Sequence, residues 1–366
     1  MKRAAAAVSL AFALLAGCSS GGTTAPEDTK AVIEDDIAGS GEDDNSDQLA
    51  DQQCSSGEVV RGRMPRVVTT FAPLTNLTGL MLDGTGVTVN GLVPDGSTVH
   101  VHRIGPTGAD LVQNADVVLT NGLGLEAGDV ELNKQALPAD AVLCEAGAVA
   151  LATSAQLHSE SYPTDGGLVN PHGWMSPNIA LRYLNAIRNS VSVRMSSGID
   201  ILDENYARLS KLMFDIDAAM KTATETVKAR DRVLYSYHDS LVYMARYFGY
   251  DYLGAAQTPD LTEPEPTVVA KLISEIGLKP PVAVFDSVEF DSGAITEIAG
   301  KLKITLGPRL ADEVMPGKPG EARHSWAGMI LENYIGIVET LGGDASALKA
   351  INPDIGLRDT AVYPAG

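Results

Sequence analysis

The sequence predicts an α/β protein of two lobes, each with a mostly parallel sheet flanked by helices, joined by one long rigid helix. Apolar residues from Leu202 to Val227 recur at steps of three and four, and residues 203–231 contain neither Gly nor Pro. This is the pattern of a long amphipathic helix, on the order of 40 Å at 1.5 Å per residue. Strand and helix patterns alternate on both sides of it, which favours parallel sheets covered on both faces. An ordinary long core helix is the alternative.

The N-terminal residues have the pattern of a secretion signal. Two basic residues precede an apolar run over residues 4–16, which is too short to span a bilayer in the mature protein. The run ends in Leu-Ala-Gly-Cys at 15–18 and resembles the lipobox of bacterial lipoproteins. The resemblance implies a signal peptide over residues 1–17 and a lipid on Cys18, so we expect an extracytoplasmic, lipid-anchored protein. A Cys that merely follows a plain signal peptide is the alternative.

The segment after the lipid site is polar and acidic. Residues 18–57 have almost no large apolar side chain, so they cannot bury enough surface to offset the entropy of ordering, and we predict a disordered acidic tether. Two cysteines remain, Cys54 and Cys144. In an oxidising compartment such a pair indicates a disulfide, which would pin the end of the tether to the first lobe. Two unpaired thiols are the alternative.

The charge of the chain restricts its partners. The formal net charge is −20 at pH 7, and a chain this acidic repels phosphates, which argues against nucleic acid as a partner. The same balance suits an extracytoplasmic protein that handles cations. Gly122 and Gly124 lack the G-x-G-x-x-G spacing of a dinucleotide site, and no P-loop is present.

Strand patterns divide the rest of the chain into an N-terminal lobe (residues 58–200), the connecting helix (201–231), a C-terminal lobe (232–345) and a C-terminal tail (346–366). Short β-branched and apolar runs predict the strands, and Ser176-Pro177 has the cap residue and first-position Pro of a helix start. In the first lobe these patterns predict strands over 66–71, 86–92, 116–120 and 141–144, and helices over 74–82 and 107–114. In the second they predict strands over 232–237, 251–253, 282–285 and 304–306, and helices over 240–248, 267–276, 293–302 and 325–341.

Four side chains at or just after predicted strand ends can carry chemistry: His100, His172, His238 and Asp312. Ligands of open α/β sheets bind at that edge. Three imidazoles and one carboxylate suit Zn²⁺ in a four-coordinate site, with Mn²⁺ as the alternative. Each His alone is also compatible with a hydrogen-bonded loop residue. His102 lies two residues from His100 and could compete with it as a ligand.

Several motifs resemble the zinc and manganese receptors of ABC transporters, the cluster A-I solute-binding lipoproteins. They are, in the order of that family, the region 93–126 around His100, Asn170-Pro171-His172-Gly173-Trp174, His238-Asp239-Ser240 and Leu310-Ala311-Asp312. The resemblance covers residues 67–343. It implies two lobes with one divalent metal between them, held by His100 and His172 from the first lobe and by His238 and Asp312 from the second. It also implies an ABC permease and its ATPase as partners.

The chain departs from that pattern at three places. Thr98-Val99 stands where the family shows Asp-Pro, and Asn170 replaces an Asp, which weakens a supporting carboxylate role for that position. Many zinc-specific members of that family carry a His-rich loop before the second ligand, whereas the loop before His172 here carries only His158. Ligand type alone therefore favours zinc. Glu289, near a predicted strand end, is a candidate supporting or docking group.

We therefore expect a monomeric receptor, not an enzyme, that captures Zn²⁺ or Mn²⁺ outside the cell and delivers it to an ABC permease. Because the imidazoles must be neutral to bind metal, affinity should fall as the pH drops through about 6 to 6.5. A zinc hydrolase is a rival hypothesis, although the chain has no H-E-x-x-H motif and no obvious general base beside a ligand. A surface adhesin in which metal only steadies the fold is another.

Overall fold

A computed structural model describes residues 54–126, 137–152, 169–258 and 261–365. The predicted signal peptide, the lipid site Cys18, the tether up to residue 53 and His158 lie outside the described residues. Among the helices that are described, none combines the length and the apolar character that a membrane span requires.

The first lobe is built on a four-stranded parallel sheet. Its strands are β1 (Arg66–Thr69), β2 (Thr88–Gly91), β3 (Val117–Thr120) and β4 (Val142–Glu145), in the order β2-β1-β3-β4. Its helices are α1 (Ala72–Met81), α2 (Pro106–Gln113), α3 (Ala146–Ala152) and α4 (Pro177–Ser192). Val68 and Val118 pack with Leu92 and Val112 in one core of this lobe.

A disulfide joins Cys54 to Cys144 of β4, with the two Cα atoms 4.7 Å apart. Both side chains are buried. The link therefore attaches the first described residue to an edge strand of the first lobe.

The long helix α5 spans Ile199–Thr226, 28 residues, or about 42 Å of rise. It starts after Gly198, whose φ of +78° is a left-handed conformation that glycine adopts at little cost. It ends earlier than the predicted 201–231 because Val227 turns to an extended conformation and residues 229–231 form a separate 3₁₀ turn. Helix α5 packs against α1 and α4 of the first lobe and against the helix Trp326–Thr340 of the second lobe. Both lobes therefore contact the same helix.

The second lobe repeats the strand order of the first. Its strands are β5 (Val233–Ser236), β6 (Asp251–Ala255), β7 (Ala283–Val284) and β8 (Thr305–Leu306). Parallel ladders join β5 to β6 and β7 to β8, and a parallel bridge between Ser236 and Phe285 links the two pairs. The resulting order, β6-β5-β7-β8, is that of the first sheet. Its helices are α6 (Val242–Phe248), α7 (Pro266–Ile276), α8 (Ala294–Leu302), α9 (Trp326–Thr340) and α10 (Ser346–Lys349).

Residues 351–363, which we call the C-terminal strap, return from the second lobe to the first. Val362 extends the first sheet beside β2: its N–H donates to Val89 O and its carbonyl accepts from Gly91 N, both at 2.9 Å. On α1, Asn76 donates to the Asp359 carboxylate at 2.9 Å and the Thr360 hydroxyl donates to Gly79 O at 3.0 Å. The lobes are thus connected twice, by α5 and by this strap.

Candidate metal centre

Loops at the carboxyl ends of the strands carry the candidate ligands. His238 follows β5 by two residues, and Asp312 follows Leu310, which bridges to Ser287 beyond β7. His100 lies in the turns after β2, and His172 immediately precedes the 3₁₀ turn Gly173–Met175 that leads into α4. Since the carboxyl ends of parallel strands meet at one edge of a sheet, the loops of both lobes converge on one cleft.

The three imidazoles meet at their Nε2 atoms. His172 Nε2 lies 3.2 Å from His100 Nε2 and 3.0 Å from His238 Nε2. Asp312 adjoins the cluster through His238, with Oδ2 3.1 Å from His238 Nε2. The side chains of all four are at least nine-tenths buried. The structure therefore brings together the four residues that the sequence singled out, two from each lobe.

The spacing of the nitrogen atoms suits a metal ion. Among the described residues, the three His form a group whose ligand atoms all lie within 4.8 Å of one another. Two ligands bound to Zn²⁺ at 2.0–2.1 Å in a tetrahedron are about 3.3 Å apart, which is close to the two Nε2 separations. Asp312 and His102 are not in this group: Asp312 contacts the cluster through His238, and His324 instead contacts Asp95 at 3.2 Å.

Hydrogen bonds at the other ring nitrogens aim the Nε2 lone pairs into the cluster. Asn170 Nδ2 donates to the Asp239 carbonyl at 2.8 Å, so Asn170 Oδ1 is left to accept from His172 Nδ1, at 2.9 Å. His238 Nδ1 donates in the same way to Gln257 Oε1. A proton on Nδ1 leaves Nε2 as the free donor atom of a neutral ring, which is the form that binds metal.

Burial and nearby charges shift the pKa values of the three imidazoles in different directions. Burial, reinforced by the neighbouring His238, lowers the pKa of His100 to about 3, and burial also lowers the pKa of His172 well below its usual range. Burial alone would lower the pKa of His238 as well, but the adjacent Asp312 carboxylate outweighs it and raises this pKa to about 9. With protein groups alone, His238 and Asp312 form an ion pair beside two neutral rings.

Two further carboxylates support this centre. Glu289 Oε1 accepts hydrogen bonds from the backbone N–H groups of Asp312, Glu313 and Val314, at 2.9, 3.0 and 2.9 Å, so it fixes the loop that carries Asp312. The sequence offered this supporting role as one candidate for Glu289, beside a purely structural role. Glu313 was missed: its carboxylate reaches across to the first lobe and contacts Thr98, Val99 and His100. Its position directly after a predicted ligand was the available signal.

Two α/β lobes of equal strand order, held on one long helix with an imidazole cluster in the cleft between them, define a class of two-lobed metal-binding proteins. The chain belongs to the ZnuA family, described as zinc-uptake complex component A, periplasmic, whose family model matches residues 67–340.

Relatives of this chain are named for different metals. It is 25% identical over 187 residues to the iron-binding protein YfeA of Yersinia pestis, and that alignment covers 50% of this chain and 57% of YfeA. The fold is similar to that of the periplasmic zinc-binding protein TroA from Treponema pallidum, with a TM-score of 0.67, 20% identity, and 76% and 99% of the two chains covered. It is equally similar to an Mn-bound periplasmic metal-binding protein from Candidatus Liberibacter asiaticus, with a TM-score of 0.66, 23% identity and the same coverage.

Proposed function

We propose that this protein is an extracytoplasmic receptor that captures a divalent metal ion, Zn²⁺ or Mn²⁺, and delivers it to the permease and ATPase of an ABC transporter. The ion is its cargo, held by His100, His172, His238 and Asp312. The observation that carries the proposal is the convergence of three Nε2 atoms from two lobes within 4.8 Å in a buried cleft. Membership in a metal-uptake family supports it.

The ligand set explains capture and retention. Imidazole nitrogen is a borderline donor that suits first-row divalent ions, and the Asp312 carboxylate supplies charge. Because each lobe contributes two of the four donors, a bound ion stabilises the arrangement in which the lobes meet. Helix α5 and the C-terminal strap join the lobes at two places, so opening proceeds by small rotations and loop shifts rather than a wide hinge swing. Release then requires the permease to separate the donor pairs.

The same arrangement disfavours the zinc hydrolase hypothesis. A catalytic zinc site keeps a position open for water, whereas here the Asp312 carboxylate adjoins the three imidazoles as a further protein donor. The buried carboxylates that could act as a general base are already engaged. Glu289 accepts three backbone N–H groups and the Ser287 hydroxyl. Glu313 accepts hydrogen bonds from Thr98 and Val99. We further propose that the mature protein is a monomer anchored by a lipid on Cys18, with the Cys54–Cys144 disulfide fastening the tether to the first lobe.

A calorimetric titration of chelator-treated protein with Zn²⁺ and with Mn²⁺ tests the proposal. We expect tight binding of one ion per chain, abolished by His172→Ala, because His172 Nε2 contacts both of the other imidazoles. His102→Ala and His324→Ala are matched controls, since both remove an imidazole outside the cluster, and both should retain full affinity. Binding that survives His172→Ala, or no binding by the unaltered chain, would overturn the receptor function.

A further inference from the structure

Glu313 is a buried carboxylate at the boundary between the lobes. It belongs to the second-lobe loop that carries Asp312, and only 1% of its side chain is exposed. Its oxygen atoms reach first-lobe groups: Oε1 accepts from the Thr98 hydroxyl at 2.9 Å and Oε2 accepts from Val99 N–H at 2.5 Å. Each oxygen therefore uses one lone pair for a hydrogen bond and keeps another.

The free lone pair of Oε1 lies next to the imidazole cluster. Glu313 Oε1 is 3.6 Å from His100 Nε2, which is too long for a hydrogen bond. Two ligands bound to one ion at about 2.1 Å and separated by an angle of about 120° are about 3.6 Å apart. The separation from His100 is thus the one expected of two donors in the same coordination sphere. Glu313 is not in the group of ligand atoms that lie within 4.8 Å of one another, so its carboxylate must move towards the ion on binding.

Glu313 adjoins a second buried carboxylate. Asp312 and Glu313 are adjacent, and both are almost completely buried. Two buried carboxylates repel each other unless a positive charge lies between or beside them. Lys and Arg are not among the hydrogen-bonding or ion-pair partners of Glu313 in the described residues. Without metal, protonated His238 supplies positive charge beside Asp312, and burial together with Asp312 raises the pKa of Glu313 well above its usual range. A divalent ion bound by the His cluster would take over the role of that charge once His238 has released its proton.

We propose that Glu313 Oε1 is a fifth donor to the bound ion, so that the site is three-nitrogen, two-oxygen, and that this second carboxylate raises the affinity for Mn²⁺ relative to Zn²⁺. The inference rests on the proposed function. Oxygen donors and a coordination number above four suit Mn²⁺, whereas structural Zn²⁺ sites are almost always four-coordinate. Iron and manganese, the metals named for relatives of this chain, also suit oxygen donors. The placement of Glu313, however, carries the argument.

Glu313→Gln is the deciding variant because it can keep the contact between the lobes while removing the fifth donor. The amide oxygen can still accept from Val99 N–H, and the amide nitrogen can donate to Thr98 Oγ1, since a hydroxyl both donates and accepts. The N–H group then faces the ion where Oε1 stood. We expect Mn²⁺ affinity to fall on the order of 10- to 100-fold and Zn²⁺ affinity to change much less.

Thr98→Val is the matched control, since it removes the hydroxyl that holds Oε1 but leaves both carboxylates, and it should preserve the Mn²⁺ to Zn²⁺ affinity ratio. Co²⁺ bound to the unaltered chain should show the weak visible absorption of a five-coordinate ion, which Glu313→Gln converts to the stronger absorption of a four-coordinate one. If Glu313→Gln does not fold, Glu313→Asp, which retracts the carboxylate by one methylene, takes its place.

Equal loss of Mn²⁺ and Zn²⁺ affinity in Glu313→Gln, or four-coordinate Co²⁺ absorption in the unaltered chain, would show that Glu313 only joins the lobes and would overturn the inference while leaving the receptor function intact. Absence of any divalent-ion binding by the unaltered chain would instead overturn the receptor function, and this inference with it.

Discussion

The indole of Trp174 donates a hydrogen bond from Nε1 to the backbone carbonyl of Asp312 at 2.7 Å. Trp174 belongs to the first lobe and Asp312 to the second, and both are buried. The Trp174 ring also packs beside His172, with ring centroids 5.1 Å apart. One side chain therefore positions two candidate ligands that come from opposite lobes.

Trp174→Phe should weaken both the fold and the metal site. The variant keeps an aromatic ring but leaves the buried Asp312 carbonyl without its donor, which costs about 1–3 kcal/mol of unfolding free energy. Metal affinity should fall as well, because the loop that carries Asp312 loses a fixed contact with the first lobe. Urea unfolding measures the first effect and calorimetric titration the second.

Tyr334→Phe is the control for that prediction. The Tyr334 hydroxyl of α9 shares a hydrogen bond with the Thr224 hydroxyl of α5 at 2.5 Å, and both residues are buried. Its loss should lower the unfolding free energy by a similar amount without changing metal affinity. An equal loss of affinity in both variants would contradict the role assigned to Trp174.

Asn170 stands where the motif that the sequence resembles has Asp, and its surroundings favour an amide at this position. Its Nδ2 donates to the Asp239 carbonyl at 2.8 Å and lies 3.2 Å from Asp239 Oδ2, while its Oδ1 accepts from His172. Asn170→Asp would place two carboxylates in contact, so we expect the unfolding free energy to fall by about 1–3 kcal/mol at neutral pH. The loss should shrink as the pH falls, because burial raises the pKa of Asp239 and its protonation relieves the repulsion.

The second substitution Asp239→Asn, added to Asn170→Asp, should restore much of that stability by exchanging the donor and the acceptor. The Tyr252 hydroxyl, which donates to Asp239 Oδ1 at 3.0 Å, keeps an acceptor in the double variant. Unfolding in urea of the two single variants and the double variant gives the coupling energy of the pair. Additive losses would show that Asn170 and Asp239 do not interact.

Local pattern was sufficient for the elements that position the site. The apolar steps of α5 survive as its buried face, which includes Leu209, Met213, Ile216 and Met220. His238 could be identified because it lies two residues after the buried strand β5, and such a position faces the binding edge of a parallel sheet. The candidate centre was thus predictable where a side chain and its strand are neighbours in sequence.

Other features depend on contacts between residues far apart in sequence. Helix α3 has the sequence Ala-Gly-Ala-Val-Ala-Leu-Ala, which lacks polar positions and so shows no amphipathic period. The C-terminal strap was predicted only as a tail, since its partners Asn76 and Gly79 lie about 280 residues away. The contacts of Glu313 with Thr98 and Val99 span more than 200 residues.

The pH dependence of metal binding should follow His238. Sequence reasoning placed the loss of affinity at about pH 6 to 6.5, the ordinary range of imidazole, but Asp312 raises the pKa of His238 to about 9, and burial lowers that of His100 to about 3. At neutral pH one proton must therefore leave His238 when metal binds, and the first-lobe rings release none. Burial and Asp312 raise the pKa of Glu313, so Glu313 releases a further proton where it binds the ion. Affinity should rise at least about tenfold per pH unit between about pH 6 and pH 8.

Titrations in buffers of different ionisation enthalpy count the released proton directly. Asp312→Asn is the informative variant: it binds metal more weakly, but its affinity should depend less on pH because His238 loses the carboxylate that retains its proton. Affinity that is constant from about pH 7 to pH 8 in the unaltered chain would contradict the prediction.

The C-terminal strap lies so close to α1 that Gly79 has no room for a side chain. A Cβ atom at this position would lie 2.0 Å from Asp359 Oδ1 and 3.0 Å from Ala361 Cβ. Replacing a helical glycine by alanine ordinarily stabilises by about 0.5–1 kcal/mol. Gly79→Ala should instead destabilise, because the strap must leave α1 and lose the hydrogen bonds of Asn76 and Thr360.

Gly300→Ala is a matched control, since Gly300 also lies inside a helix, α8, and a Cβ there would meet no atom within 4 Å. It should raise the unfolding free energy while Gly79→Ala lowers it. Hydrogen exchange should locate the difference: in Gly79→Ala the amide of Val362 loses protection, because its bond to Val89 O depends on the strap staying in place. Stabilisation of both variants by the same amount would mean that the strap moves aside at no cost, and that α5 alone holds the two lobes together.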